Sequence, residues 1–465
     1  DGTPKKMGQL GTLSSSLLVL SPLMRGAVAE GWLACLAATQ KYQASNRDVL
    51  SAFSKFYGLL MVTGYDSWSD YLLDQLLLGR DSTIARTVAQ GSIEGGAGAP
   101  VLAALAHDLD VLQTLAIPLG ELAEYVGDMA PFVGREWVSA ASTASVRRSV
   151  RRLGNGAAPS VSAINLDSPT KYIAKPPTLD ELASWKDAIS SKATWSDALP
   201  VLQQYWHLHG FGVTSRNAAL RWTKGALEDA PDTWVSPNLI TAAPINVTSA
   251  AKAARLGTLS VLAPLQKQLA ANTTRHCEGL PGAGHVLVAG PTGTGKSWLL
   301  WDSTLAAGRE RGLRVVDVGA ADGATILEAA RGCARYPRVR FILVADHVDL
   351  PLRGGGAADL MAGLSTAGPA GWPSNTLLYM GASSTSTVNV DSLVSRFSLA
   401  LFTKELSEAE FGTTLQEMAA QQMPDQDVEE LPPQQLEAAV RRSTTWGGLT
   451  VCSAAHYLDQ YMSSN

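Results

Sequence analysis

Apolar residues recur at two different periods along this chain, and the change of period divides it. Over residues 1–128 the spacing is i, i+3, i+4. Arg47–Val62, Ser67–Leu78 and Ala99–Ile117 each carry such a stripe, the last through Leu102, Leu105, Leu109, Leu112 and Leu115. This period predicts a helical N-terminal domain whose helices bury one face, so the leucine stripe is read as packing and not as a cofactor site. Residues 129–180 break the pattern. Met129–Ser168 is rich in Ala, Ser, Gly and Pro and holds Arg147, Arg148, Arg151 and Arg152. On a helix these arginines would stack one turn apart as an anionic docking strip; a solvated linker or insertion is the commoner meaning of such a charge block. Residues 181–283 read as helix again, with turns at Gly210–Gly212 and Ala230–Asp232. From residue 284 short apolar runs alternate with helical stretches. The runs His285–Ala289, Arg314–Val318, Arg340–Ala345, Thr376–Met380 and Ser398–Phe402 predict an α/β core over 284–405 with a five-stranded parallel sheet and crossover helices. Ser407–Gln422, opening on Ser407-x-x-Glu410, and Pro433–Tyr461 predict a small C-terminal helical lid over 406–465.

The first predicted strand runs into Gly290-Pro291-Thr292-Gly293-Thr294-Gly295-Lys296-Ser297, a full match to the P-loop pattern G-x-x-x-x-G-K-[ST]. The chemistry explains the residue types. Glycines let successive backbone N–H groups turn toward a β-phosphate. Lys296 would reach the β- and γ-phosphates, and the Ser297 hydroxyl would hold Mg²⁺. A strand precedes the motif and a predicted helix, Trp298 to about Arg311, follows it, which puts phosphate at a helix N-terminus and at the carboxyl ends of the strands.

Composition narrows the class. The chain has 465 residues, 46% of them hydrophobic and 17% charged, with a formal net charge of −5. This fits a globular protein of several domains with no global field for nucleic acid or anionic membrane. No run of about 18 apolar residues predicts a transmembrane segment; Leu17–Ala38 is interrupted by Ser21, Pro22, Arg25 and Glu30. Cys35, Cys277, Cys333 and Cys452 lie far apart, a spacing that fits a reducing compartment better than a disulfide framework or a zinc site. His207 and His209 form H-x-H, but on a helix they point apart and no third ligand is evident. The chain begins at Asp1 instead of Met. A trimmed organellar targeting sequence would leave such a start, as would a cloning boundary or disorder; with the cysteines and the lack of secretory features, the expectation is the bacterial cytoplasm or an organelle matrix such as the chloroplast stroma.

A sheet that begins with a P-loop and ends in a helical lid resembles the AAA+ ATPase superfamily. A narrower resemblance rests on an ordered series of stretches. These are Trp195-Ser-Asp-Ala-Leu, His209-Gly210-Phe-Gly212, Asn217-Ala-Ala-Leu-Arg221-Trp222, Gln266-Lys-Gln-Leu-Ala-Ala-Asn272-Thr273, Gly312-Leu-Arg314-Val-Val, Arg340-Phe-Ile-Leu-Val-Ala-Asp346, Asn375-Thr-Leu-Leu-Tyr379 and Ser395-Arg396-Phe397. Together they resemble an uncharacterised bacterial family of P-loop ATPases known as a domain of unknown function. The resemblance spans about residue 45 to 460, with the arginine-rich stretch as an insertion. It implies an AAA+-like fold, with ATP or ADP and Mg²⁺ as the bound groups, and leaves the substrate unspecified.

Placed on the AAA+ pattern, the binding half of the site is intact and the hydrolytic half is eroded. Asp346, ending an apolar strand, matches the acid that holds Mg²⁺ through water. The next position, where the superfamily carries a second acid to polarise water, is His347, with Asp349 two residues further on. The polar sensor position falls near Ser383. The arginine sensor of the lid aligns with Thr450-Val451-Cys452; the nearest arginines are Arg441 and Arg442. Arg396 stands at the position of an arginine finger that acts in trans. Losing a water-positioning or charge-stabilising group costs orders of magnitude in rate. The sequence therefore predicts an ATP-binding protein with weak or lost hydrolysis, a subunit or assembly factor of a larger protein complex. The alternative is an active ATPase that remodels or assembles a protein partner, with Arg396 completing a neighbour's site in a homo-oligomer. A GTPase or nucleotide kinase ranks lower, because no N-K-x-D motif or acceptor-phosphate site is evident.

Overall fold

The structure is a computed structural model. It describes residues 3–40, 45–65, 67–79, 99–130, 136–139, 177, 179–229, 259–308, 311–319, 322–336, 338–346, 356–365, 372–383, 396–422, 433–445 and 448–464. Among these, the residues up to Arg216 form one compact unit and those from Asn217 form a second. Arg147, Arg148, Arg151 and Arg152, and the turn at Ala230–Asp232, lie outside the described residues.

The first unit is helical. Its helices include Thr3–Ser14, Ala27–Gln40, Asn46–Val62, Trp68–Leu78, Ala99–Leu115, Leu119–Met129, Leu179–Ser190 and Leu199–His209. The two predicted starts at Arg47 and Ser67 are fixed by Ser45 and Ser67, whose hydroxyls accept from the N–H groups of Asp48 and Asp70. In the core, Trp68 stacks between Trp32 and Tyr71, with Phe56 edge-on, and its indole N–H donates to Leu115 O at 2.9 Å. Leu105, Leu109, Leu112 and Leu115 are buried, as their stripe predicts, while Leu102 is only half-buried. The same helix buries a carboxylate. Asp108 accepts from the backbone N–H groups of Leu18, Val19 and Leu20 at 2.7–3.0 Å. No helix is long and apolar enough to cross a membrane by itself among the described residues.

The second unit holds a seven-stranded sheet in the order β2-β1-β4-β5-β6-β3-β7. The strands are β1 (Ala219–Thr223), β2 (Ala226–Asp229), β3 (Val286–Gly290), β4 (Leu313–Asp317), β5 (Arg340–Ala345), β6 (Thr376–Ser383) and β7 (Leu399–Phe402). All pairings are parallel except the β1–β2 hairpin. The five predicted strands are present; the expectation of helix across 219–229 is corrected. Arg221-Trp-Thr alternates its burial, and Lys224-Gly225, both with positive φ, make a two-residue hairpin turn. That turn chemistry was in the sequence but was masked by the helical segments on either side. Arg221 faces Asp317 in register and its guanidinium donates twice to Asp317 Oδ2, at 3.0 and 3.2 Å, joining the hairpin to β4.

Two helix predictions change as well. The segment after the P-loop is α-helical over Lys296–Trp298, π-helical over Leu299–Ser303 and α-helical again over Thr304–Gly308. The Thr304 hydroxyl donates to Leu299 O, five residues back, which stabilises the widened turn. The closing helix predicted over Pro433–Tyr461 is two helices, Pro433–Thr445 and Val451–Ser464. Gly448 takes φ +122°, and Thr450 starts the second helix by exchanging side-chain and backbone hydrogen bonds with Ser453.

Under the sheet, the helix Ala263–Cys277 carries polar residues that the central strands need. Asn272 pairs with both backbone groups of Gly284 and donates to the Tyr379 hydroxyl at 3.0 Å; Thr273 shares that hydroxyl at 2.9 Å. His276 Nε2 donates to Phe341 O at 3.1 Å, and His285 Nδ1 accepts from Leu378 N at 3.0 Å. Burial lowers both imidazoles to about 4, with the Arg340 charge adding to the effect on His276.

Two predictions follow from these buried groups. Above about pH 6.5 both histidines are neutral whether the chain is folded or unfolded. As pH falls toward 4 the unfolded chain takes up protons that the folded one refuses, so stability falls by up to about 1.4 kcal/mol per pH unit for each histidine. Urea-unfolding midpoints should show this slope, and it should become shallower in His276→Gln/His285→Gln. In the first unit, Asp108→Ala strands three backbone donors and should cost about 2–4 kcal/mol in the unfolding of that unit; an unchanged midpoint would contradict the role given to Asp108.

Candidate nucleotide-binding site

The P-loop leaves the carboxyl end of β3, whose residues are buried throughout. β3 is flanked by β6 on one side and β7 on the other. Gly290, Gly293 and Gly295 take φ of +155°, +83° and +91°, values that glycine adopts without the strain a Cβ brings. Thr294 is buried and its hydroxyl donates to Pro291 O at 2.7 Å. The Lys296 ammonium donates to the same carbonyl at 2.6 Å. Pro291 is half-buried, while Thr292 is exposed on the rim of the loop.

Two oxygens converge below the loop. Ser297 Oγ donates to Asp346 Oδ2 at 2.5 Å, although 49 residues separate them in the chain. Asp346 follows β5, which is separated from β3 by β6 alone. Gly381, in β6, makes this possible: a Cβ there would lie 2.5 Å from Asp346 Oδ1 and 2.9 Å from Leu300 Cδ1. A hydroxyl and a carboxylate on one spot beside a phosphate loop form the hard oxygen donor set that suits Mg²⁺, which keeps most of its remaining ligands as water and phosphate. Ser297 and Asp346 are the residues that would hold it.

The lid supplies the far wall. The backbone N–H of Cys452 donates to Gly293 O at 3.0 Å, and a Cβ at Gly293 would lie 2.8 Å from Thr450 Oγ1. The last helix thus meets the phosphate loop through its first turn, at the segment that aligned with the arginine sensor. Leu262 closes over Gly295, 3.0 Å from where its Cβ would be.

The other predicted positions are distributed as follows. Ser383 is half-buried and pairs in register with Gly290, so the sensor strand ends beside the loop. His347 and Asp349 lie outside the described residues. Arg396 is exposed in the turn before β7. Because β7 runs parallel to β3 with Leu399 opposite Val286, Arg396 lies beyond the amino end of the sheet. At about 3.3 Å per residue it is roughly 20 Å from its own P-loop. It does not serve that loop in cis. His209 is a packed histidine whose Nε2 accepts from Trp185 Nε1 at 3.1 Å; the His207 side chain lies outside the described residues.

Gly381, Leu262, the Cys452 amide and Thr403, which follows β7 and lies 2.6 Å by its hydroxyl from Thr294 Oγ1, were not foreseen. Gly381 had a signal, since glycine inside a strand marks a close approach. Thr403 and the Cys452 amide had none, because they act from the ends of β7 and of the lid through contacts that only the fold creates.

Residues 233–387 match the family described as "Protein of unknown function (DUF815)". The chain resembles this family across its nucleotide-loop core. Its fold is AAA+-like: a mostly parallel α/β sheet with a P-loop on an inner strand, followed by a helical lid. A comparison with curated proteins finds no match. Among solved structures, PCH-2 of C. elegans is 12% identical, covering 43% of this chain and 69% of that one at a TM-score of 0.29. The Thermotoga maritima RuvB Holliday junction branch migration motor is 17% identical, with 42% and 68% covered at 0.28. Rhizobiales Trip13 is 15% identical, with 41% and 78% covered at 0.28. Such scores carry no argument about activity.

The geometry around Asp346 yields a prediction. Gly381→Ala should displace the carboxylate and raise the Mg²⁺ concentration needed for ATP to stabilise the protein by about ten-fold, a change of about 1.4 kcal/mol in binding. A Mg²⁺ titration of the ATP-induced melting shift reads this; an unchanged midpoint would remove Gly381 from the site.

Proposed function

We propose that this chain is an AAA+-like ATP-binding protein in which the nucleotide is held with Mg²⁺ and hydrolysed weakly or not at all. It would act as a structural subunit or assembly factor within a larger protein complex. One observation carries the loss of turnover. Where the lid should bring an arginine to the phosphates, this chain brings the backbone N–H of Cys452 and the hydroxyl of Thr450 to Gly293. An amide dipole can neutralise far less of the charge that spreads over a transferring γ-phosphoryl group than a guanidinium can. His347 in place of the second acid and Ser383 at the polar sensor support the same reading.

The chain's own residues have the following roles. The loop from Gly290 to Gly295 turns N–H groups toward the phosphates. Lys296, which donates to Pro291 O, would turn to phosphate oxygens, and Ser297 and Asp346 would hold the metal, which would supply positive charge at the phosphates. Bound nucleotide then fixes the lid against the α/β core. At a hundred times Kd this would add about 2.7 kcal/mol of stability by mass action. The helical region before residue 217 would present the partner surface. Four free cysteines, three of them buried, support a reducing compartment, either the bacterial cytoplasm or an organelle matrix such as the chloroplast stroma.

The second reading is an active ATPase that remodels or assembles a protein partner. Arg396 favours it: it is exposed, remote from its own loop, and stands at the position of an arginine finger that acts in trans. One of the similar solved structures is a HORMA:CdnC:Trip13 complex from E. coli MS115-1, at 12% identity and a TM-score of 0.29, so protein partners are in keeping with either reading.

ATP binding and steady-state hydrolysis of the purified chain separate the two. The expected result is binding that Lys296→Ala abolishes, with turnover near background, raised by His347→Glu. Robust native turnover that falls in His347→Ala would overturn the first reading. If that turnover falls in Arg396→Ala without loss of ATP affinity, the homo-oligomeric ATPase stands.

A further inference from the structure

We infer that Thr403 is a positioning residue for the phosphate-binding loop, acting through Thr294 on the carbonyl that Lys296 uses; this rests on the nucleotide-binding reading above. Thr403 follows the last residue of β7 and is buried. Its N–H donates to Ala289 O at 2.8 Å, extending the β3–β7 pairing up to the first residue of the loop. Its hydroxyl lies 2.6 Å from Thr294 Oγ1 and 3.4 Å from Ala289 O. Thr294 Oγ1 thus joins the Thr403 hydroxyl on one side and Pro291 O on the other, and the Lys296 ammonium donates to the same Pro291 O. A side chain 107 residues downstream of Lys296 thereby holds the loop's inner hydroxyl and, through it, the oxygen that holds the lysine.

A second observation comes from Gly290. A Cβ at that position would overlap both the hydroxyl and the carbonyl oxygen of Thr403. The first glycine of the motif is therefore required here for the approach of Thr403 as well as for its own φ. With the hydroxyl gone, Thr294 keeps its bond to Pro291 O, and the strand pairing through the Thr403 backbone is intact. What disappears is the outside brace on the loop, so the effect should appear in nucleotide affinity and not in the fold. Preorganised loops bind more tightly because less freedom is lost on binding.

The test is calorimetric titration of the full chain with ATP and Mg²⁺. Thr403→Val, which keeps the branched shape, should weaken ATP about ten-fold with an unchanged nucleotide-free melting temperature, since a tenfold change in Kd needs only about one hydrogen bond's worth of free energy. Thr403→Ser should restore affinity to within about two-fold on the same scale. Thr294→Val, which also removes the bond to Pro291 O, should weaken ATP at least as much, and Thr294→Val/Thr403→Val no further than Thr294→Val alone, because Thr403 acts through Thr294. Should Thr403→Val fail to fold, Thr294→Val and Thr403→Ser carry the test. Native affinity in Thr403→Val, or losses that add in the double variant, would overturn the role while leaving the nucleotide reading intact. A native chain that binds no ATP would overturn both.

Discussion

Three glycines of the phosphate loop are each pressed by a different part of the chain. Thr403, at the end of the edge strand β7, fills the space at Gly290. Thr450, at the start of the last helix, fills it at Gly293, and Leu262, before the helix that underlies the sheet, fills it at Gly295. A fourth glycine, Gly381, admits Asp346. Close backbone approach is thus the constraint that organises the second unit. The loop is held at several points on its backbone, by residues that range from Leu262 to Thr450 in sequence. Side chains larger than hydrogen at these positions would separate the elements or force φ values that L-residues adopt at a cost.

The sheet beneath the loop accounts for how this crowding is tolerated. β3, β5 and β6 are almost entirely buried, and such strands must find partners for every polar group they enclose. Asn272, Thr273, His276 and Tyr379 do so on one face, with neutral imidazoles that avoid burying charge. Toward the far edge, the β1–β2 hairpin extends the sheet beyond β4. The Arg221–Asp317 pair fastens it there, and the Trp222 ring occupies the space that a Cβ at Gly332 would fill. The edge next to the P-loop is β7, the last strand of the sheet among the described residues.

The parts legible in the sequence were those with a local period or a local motif. Continuous apolar runs gave the five core strands nearly to the residue, and Gly290–Ser297 stood out as a phosphate-loop motif at the end of the first of them. Asp346 could be placed because an acid after such a run has few other meanings in this fold. The β1–β2 hairpin was missed because four- and five-residue strands carry little periodic signal beside long helices. The break before Val451 was missed because Ala- and Ser-rich sequence on both sides suits helix, and a glycine with positive φ decides the matter in three dimensions. Thr403 could not have been found from the sequence: a threonine after a strand is commonplace, and its role exists only when β7 is laid beside β3.

This distribution bears on how nucleotide binding and turnover can part company. On the proposed reading, binding would use groups that the loop and its neighbouring strands hold in place: backbone amides, Lys296, Ser297 and Asp346. Turnover asks for charge and a positioned water at the γ-phosphate, supplied in an AAA+ site from the next residue after the acid, from the sensor strand and from the lid. In this chain the lid meets Gly293 with an amide and a hydroxyl, so its contact is with the loop's backbone and carries no full charge. On the proposed reading, a lid attached in this way would respond to whether the loop is filled, through the Gly293 carbonyl to which Cys452 N–H donates. It would respond much less to whether the third phosphate is present, since that distinction depends on charge at the γ-position. On the proposed reading, occupancy itself is the signal passed to the lid, and a protein that needs only occupancy has little physical reason to keep the hydrolytic groups.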